Sequence, residues 1–139
     1  MLAKYLWMTG SLIIVTLGSI HLYLTFFTAA FSSRNEPMIQ QMKASSPMLN
    51  PALNMWKAWI GFNASHSNGL LFIGLVNFYL ALRYFGYVQS DPFFFLVTIL
   101  TIGFYVWLAQ TYWFTIPLIG VSIALICFVV SCVLCLVNN

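Results

Sequence analysis

Trp59-Ile60-Gly61-Phe62-Asn63-Ala64-Ser65-His66-Ser67-Asn68-Gly69 is the stretch whose reading decides what kind of protein this is. It opens a long apolar run, yet it carries three strong hydrogen-bonding side chains, Asn63, His66 and Asn68. Runs of about 20 predominantly apolar residues are read as membrane-spanning helices. A polar group held in hydrocarbon is costly, so in such a run it is expected to have a partner or a task.

The rest of the chain points the same way. Of 139 residues, 62% are hydrophobic and only 5% are charged, and the mean hydropathy is +0.94. Soluble domains carry about 25% charged residues, so this chain lacks the polar side chains to cover a globular surface in water. Apolar runs fit at about 5–30, 55–84, 93–112 and 116–137, with one substantial loop over about 31–54. The expected fold is therefore all-α, an integral membrane four-helix bundle in which residues 1–139 form a single transmembrane domain. Within the loop, Asn35-Glu36-Pro37 reads as a helix start, with Asn35 as cap and Pro37 in the first turn. Met38, Ile39 and Met42 then share a face, so a short amphipathic interfacial helix is expected there. The first run is much longer than the apolar core of a signal peptide and contains His21, so it is expected to persist as a span.

The net charge of +3 is too small and too scattered for a nucleic-acid surface, so no nucleic-acid partner is expected. Lys4 and Arg83 flank one side of the spans and Arg34, Lys43 and Lys57 the other, which leaves the orientation in the membrane undetermined. The cysteines Cys127, Cys132 and Cys135 all fall late in the last run, so they imply no disulfide framework. Cys132-Val133-Leu134-Cys135 has redox spacing, but no second cysteine pair stands in a loop to shuttle electrons, and buried cysteine ordinarily serves as a small hydrophobe.

On a helical wheel the second run separates into two interfaces. Trp59, Asn63, His66, Leu70, Ile73 and Asn77 lie within roughly 60° of His66. Gly61, Ser65 and Gly69 form a small-residue stripe on another side, suited to helix packing against a neighbour. His21 and His66 are the only histidines. Counted from the run ends that the first loop joins, each lies about 15 Å into the membrane at 1.5 Å per residue. Asn63 falls slightly nearer the loop and Gln110 of the third run nearer still, so a polar pocket opening towards the loop is expected.

Three chemistries suit these residues. His21, Asn63, His66 and Asn77 can cross-link helices through polar contacts worth about 1 kcal/mol each. A pocket of His21, Trp59, Asn63, His66, Asn77 and Gln110 has the aromatic walls and few placed polar groups of a ligand-binding site for a lipid or a quinone. Alternatively, His21 and His66 ligate a metal, with b-type haem the natural choice because two axial histidines hold it between helices. Zinc wants three or four ligands, and both acidic residues, Glu36 and Asp91, fall in loops. No catalytic residue is assigned. Intramembrane carboxylates for proton transfer are absent, and Ser65 or Ser67 beside His66 has no acid to orient a base.

The pattern Trp56-x-x-Trp59-x-Gly61-Phe62-Asn63-x-Ser65-His66-x-x-Gly69, preceded by a glycine-containing first span with a late His21 and by a methionine-containing loop, resembles a family of small uncharacterised four-helix bacterial inner-membrane proteins. The resemblance covers the first two spans best, and the last two match only in being apolar. It implies the fold and a bacterial inner-membrane location, and no activity. The expected protein is a non-catalytic binder of an amphipathic ligand, lipid or quinone, or an accessory subunit of a larger membrane complex or homo-oligomer. The alternative is a haem- or quinone-linked redox protein using His21 and His66.

Overall fold

The computed structural model describes residues 1–137. These form five helices: α1 (Leu2–Phe27), α2 (Glu36–Ala44), α3 (Met55–Ser90), α4 (Pro92–Tyr112) and α5 (Thr115–Val137). All but α2 are long and apolar enough to cross a membrane. No strand occurs among the described residues.

The outer surface is far more apolar than that of a protein in water, and several hydroxyls are buried. Phe62, Phe72, Leu100 and Ile116 are 70%, 66%, 63% and 73% exposed, whereas Ser11, Ser67 and Ser131 have no exposed surface. Such a surface is compatible with lipid. The hydroxyls are adapted to the same solvent. Thr9, Ser11, Thr16, Thr25, Ser67, Thr101 and Thr111 each donate to the carbonyl four residues back on their own helix, at 2.7–2.9 Å. A hydroxyl satisfied in this way needs neither water nor a partner helix.

Local chemistry explains where the helices stop. Thr28 Oγ1 donates to Leu24 O at 2.8 Å and accepts from the Ala30 N–H at 3.1 Å, offering the chain an alternative to another helical turn. α1 accordingly ends at Phe27, short of the expected residue 30. α2 has Pro37 in its first turn, Glu36 at its positive end and Lys43 at its negative end. Asn35 stands at its N-cap, although its side chain makes no capping bond. The residue that α2 buries is Ile39, with Met42 half-buried and Met38 exposed. Asn54 caps α3 by accepting from the Lys57 N–H at 2.9 Å. The second run was expected to end near residue 84; α3 instead runs to Ser90, with a kink at Tyr84, which is non-helical at φ −135° and ψ 35°. The chain then re-enters helix until Asp91-Pro92 stops it. Asp91 caps α4 through the Phe93 N–H at 2.9 Å.

The chain divides into two compact units, one made of Met1–Leu17 with the chain from Leu70 onward, the other of Gly18–Gly69. In the first unit, segments of all four long helices meet at the fully buried Trp7 of α1. Its ring packs edge-on against Phe95 of α4 and Phe128 of α5, with centroids 5.0 and 4.8 Å away. Its indole N–H donates to Asn77 Oδ1 of α3 at 3.1 Å. Thr98 of α4 donates to the same oxygen at 3.1 Å, and Asn77 Nδ2 donates to Ile73 O at 3.0 Å. Ser131 of α5 donates to Ala3 O of α1 at 2.7 Å. Glycines bring the backbones close. A Cβ at Gly74 of α3 would meet Val15 Cγ2 at 2.7 Å and the Val15 nitrogen at 2.9 Å. One at Gly10 of α1 would meet the Ala124 carbonyl of α5 at 3.1 Å.

The second unit holds the end of α1, the loop with α2, and the start of α3. Lys43 Nζ lies 5.8 Å from the Trp56 ring centroid, a cation–π contact, and the Met55 N–H donates to Ser45 O at 2.8 Å. These contacts tie the C-terminal end of α2 to the start of α3.

Candidate functional site

The second unit contains the chain's two histidines in direct ring contact. The His21 and His66 centroids are 5.3 Å apart, with the planes 61° to each other. His21 lies six residues before the end of α1 and His66 eleven after the start of α3, about 9 and 16 Å in by helix rise. The expected depth of about 15 Å therefore holds for His66 and not for His21, because α1 ends at Phe27, and it is the packing of the second unit that brings the two half-buried imidazoles together.

Asn63 orients His21. Its Nδ2 donates to the Trp59 carbonyl at 2.9 Å, and a carbonyl can only accept. Oδ1 must therefore be the atom 3.1 Å from His21 Nε2, so that nitrogen carries the hydrogen and donates. This bond selects the Nε2–H tautomer of neutral His21 and leaves Nδ1 with its lone pair. The other side of His21 is covered by Phe31, stacked at 4.4 Å with an interplanar angle of 28°. Phe31 comes from the loop after α1, and its carbonyl accepts from the Trp59 indole N–H at 3.1 Å.

Beside this cluster lies a small cleft of about 30 Å³, lined by Thr25, Thr28, Phe31, Ser32, Trp56, Trp59, Ile60 and Asn63. That volume is about one water molecule's share of the liquid. Asn63 and Phe31 belong both to the cleft wall and to the His21 contacts. The site therefore has an aromatic wall, three hydroxyl-bearing side chains and an amide, with the imidazoles behind Phe31 and Asn63.

The residues expected to share one pocket divide. His21, Trp59, Asn63 and His66 come together in the second unit. Asn77 belongs to the first unit, where its carbonyl oxygen serves Trp7 and Thr98 and its amide serves Ile73. Gln110 is exposed near the end of α4, also in the first unit. Of the small-residue stripe, Gly61 and Ser65 are exposed and Gly69 half-buried. A Cβ at Gly61 would meet nothing within 4 Å. Close approaches within the chain occur at Gly10, Gly74 and Gly120.

Several cleft residues escaped the sequence reading. Thr25, Thr28, Phe31 and Ser32 follow His21, but the last three stand beyond the helix, where periodicity is silent. Trp56, which enters the sequence reading only as part of the motif, also walls the cleft.

As a metal centre the cluster offers two ligands. Among the described residues, no group of three or more His, Cys, Asp or Glu side chains converges. A haem iron between His21 and His66 would require the rings to part by the thickness of the macrocycle, with Nε2 of His21 released from Asn63 if it were the ligating atom. The chain matches no protein-family model, no curated protein and no solved structure.

Proposed function

We propose that this chain is an integral protein of the bacterial inner membrane, its long helices forming a four-helix bundle with α2 lying in the interface. We propose further that it is a non-catalytic binder of an amphipathic ligand, a lipid or a quinone, at His21, Trp59, Asn63 and His66. The observation that carries this reading is the oriented His21–Asn63–His66 cluster beside an aromatic cleft. A purely cross-linking role needs hydrogen bonds between helices but no cleft. The cleft volume, far below the roughly 300–1,000 Å³ of a pocket that swallows a drug-sized ligand, suits recognition of one polar end. The apolar remainder of the ligand then stays in lipid along exposed side chains of the same unit, such as Phe27 and Phe62.

The test is extraction of bound lipids and quinones from the purified protein, followed by mass spectrometry, for wild type and for His66→Ala. A species enriched over bulk membrane and lost in the variant is the expected result. Recovery of only bulk phospholipid from both would end the binding proposal. A second reading, an accessory subunit or homo-oligomer, rests on the open space over Gly61 and the exposure of Ser65, which leave this strip of α3 free for another chain. Gly61→Leu should then change the oligomeric mass in detergent, and an unchanged mass counts against it.

A further inference from the structure

We infer that Phe31 is a built-in plug, its ring occupying the slot on His21 that the flat ring of a quinonoid head group takes on binding; the inference rests on the ligand-binding reading of this site. Phe31 is not a helix residue. It follows the end of α1, and the chain turns back so that its ring lies nearly parallel to the His21 imidazole, centroids 4.4 Å apart. Its main chain is tethered through the Trp59 indole N–H. The same residue forms part of the cleft wall, so Phe31 stands between the cleft and one face of His21.

Rotation of the Phe31 side chain joins the cleft to the vacated face of His21. The enlarged space is flat, with the imidazole on one side, and Trp56 and Trp59 already line the cleft. Thr25, Thr28, Ser32 and Asn63 line it too. The Thr25 and Thr28 hydroxyls donate to carbonyls of their own segment and keep only oxygen lone pairs for a ring hydroxyl, so the second Asn63 Nδ2 hydrogen and the Ser32 hydroxyl are the donors a ring carbonyl would meet. A flat head group with oxygens at its edge fits these features. A phosphodiester head group is bulky, tetrahedral and anionic, and no lysine or arginine lines the cleft. The tether at the Phe31 carbonyl restrains the main chain while the ring turns about its side-chain bonds, so a plug of this kind reseats when the ligand leaves.

Affinity then carries the cost of displacing the plug, since a site competent in only a fraction of molecules binds correspondingly weaker. Ring contacts of this kind correspond to about a three- to tenfold factor. The experiment is titration of detergent-solubilised full-length protein with a short-chain benzoquinone, read by tryptophan quenching, with calorimetry as the independent measure. Phe31→Ala is expected to bind about three- to tenfold tighter than wild type, and Phe31→Ala with His21→Ala to lose that gain. Phe31→Leu, which keeps apolar bulk without the flat ring, is expected to show a smaller gain in the same direction, and serves if the alanine variant does not fold. The plug is overturned if neither variant binds more tightly than wild type, or if the gain survives removal of His21. Weaker binding by the Phe31 variants makes Phe31 part of the binding surface and also overturns the plug, while leaving the ligand-binding reading intact. Absence of quinone binding in every variant overturns the plug, and the extraction experiment separately decides the fate of the broader reading.

Discussion

Replacing Asn77 with leucine removes the acceptor on which two helices converge. In the wild type its carbonyl oxygen takes the Trp7 indole N–H and the Thr98 hydroxyl, each at 3.1 Å. Leucine is close to asparagine in size, so the change is mainly one of hydrogen bonding. Thr98 can turn back to a carbonyl of its own helix, as Thr101 does to Val97. The Trp7 N–H has no such recourse, because Trp7 is fully buried. An unpaired buried donor costs about 1–3 kcal/mol. In membranes the value is tempered, because the unfolded reference also finds partners, and measured interhelical bonds reach at most about 1.7 kcal/mol. The expected loss for Asn77→Leu is therefore about 1–2 kcal/mol, measured by reversible denaturant titration in detergent micelles. The test of the reasoning is the background in which the change is made. Trp7→Phe removes the donor in advance, so Asn77→Leu should cost about 1 kcal/mol less there than in wild type. An equal cost in both backgrounds would falsify the assignment of the effect to this bond.

Glycine positions provide a matched pair. Gly74→Ala should destabilise by about 1–3 kcal/mol, since the new methyl meets main-chain atoms of α1 that cannot move aside, while Gly61→Ala should stay within about 0.5 kcal/mol of wild type; the same titration measures both. Ser131→Ala removes the 2.7 Å bond to Ala3 O between α5 and α1, and a loss of about 0.5–1.5 kcal/mol is expected, with no change in helix content by circular dichroism. Imidazole nitrogen NMR should show His21 in the Nε2–H tautomer in wild type and a mixture in Asn63→Leu; a wild-type spectrum dominated by Nδ1–H contradicts the orientation argued from Asn63.

The helical wheel of α3 shows how far a one-dimensional reading reaches. It placed Asn63, His66 and Asn77 on one side, and the structure buries Asn63 and Asn77 and half-buries His66. What a wheel discards is position along the axis. Asn63 and Asn77 are fourteen residues apart in sequence and belong to different compact units. Residues that coincide in projection therefore meet different neighbours, Asn63 the imidazole of His21 and Asn77 the indole of Trp7. The Trp7 contact spans 70 residues of sequence, and no local pattern announces it. The stripe of Gly61, Ser65 and Gly69 had spacing suited to a close contact, but spacing does not say whether a helix stands opposite. Gly61 proved open within the chain, and Gly74 proved to be a close contact.

The long helices, their apolar outer surfaces and the polar character of one face of α3 were all contained in run length and composition, because lipid leaves a chain few alternatives to continuous helix. The ring contact of the two histidines, the tautomer imposed by Asn63 and the placing of Phe31 over His21 came only with the packed chain. They depend on where loop residues return, and on which of several compatible helix faces meet. Those choices are made by side-chain fit across long sequence separations, on which hydrophobic periodicity carries no information.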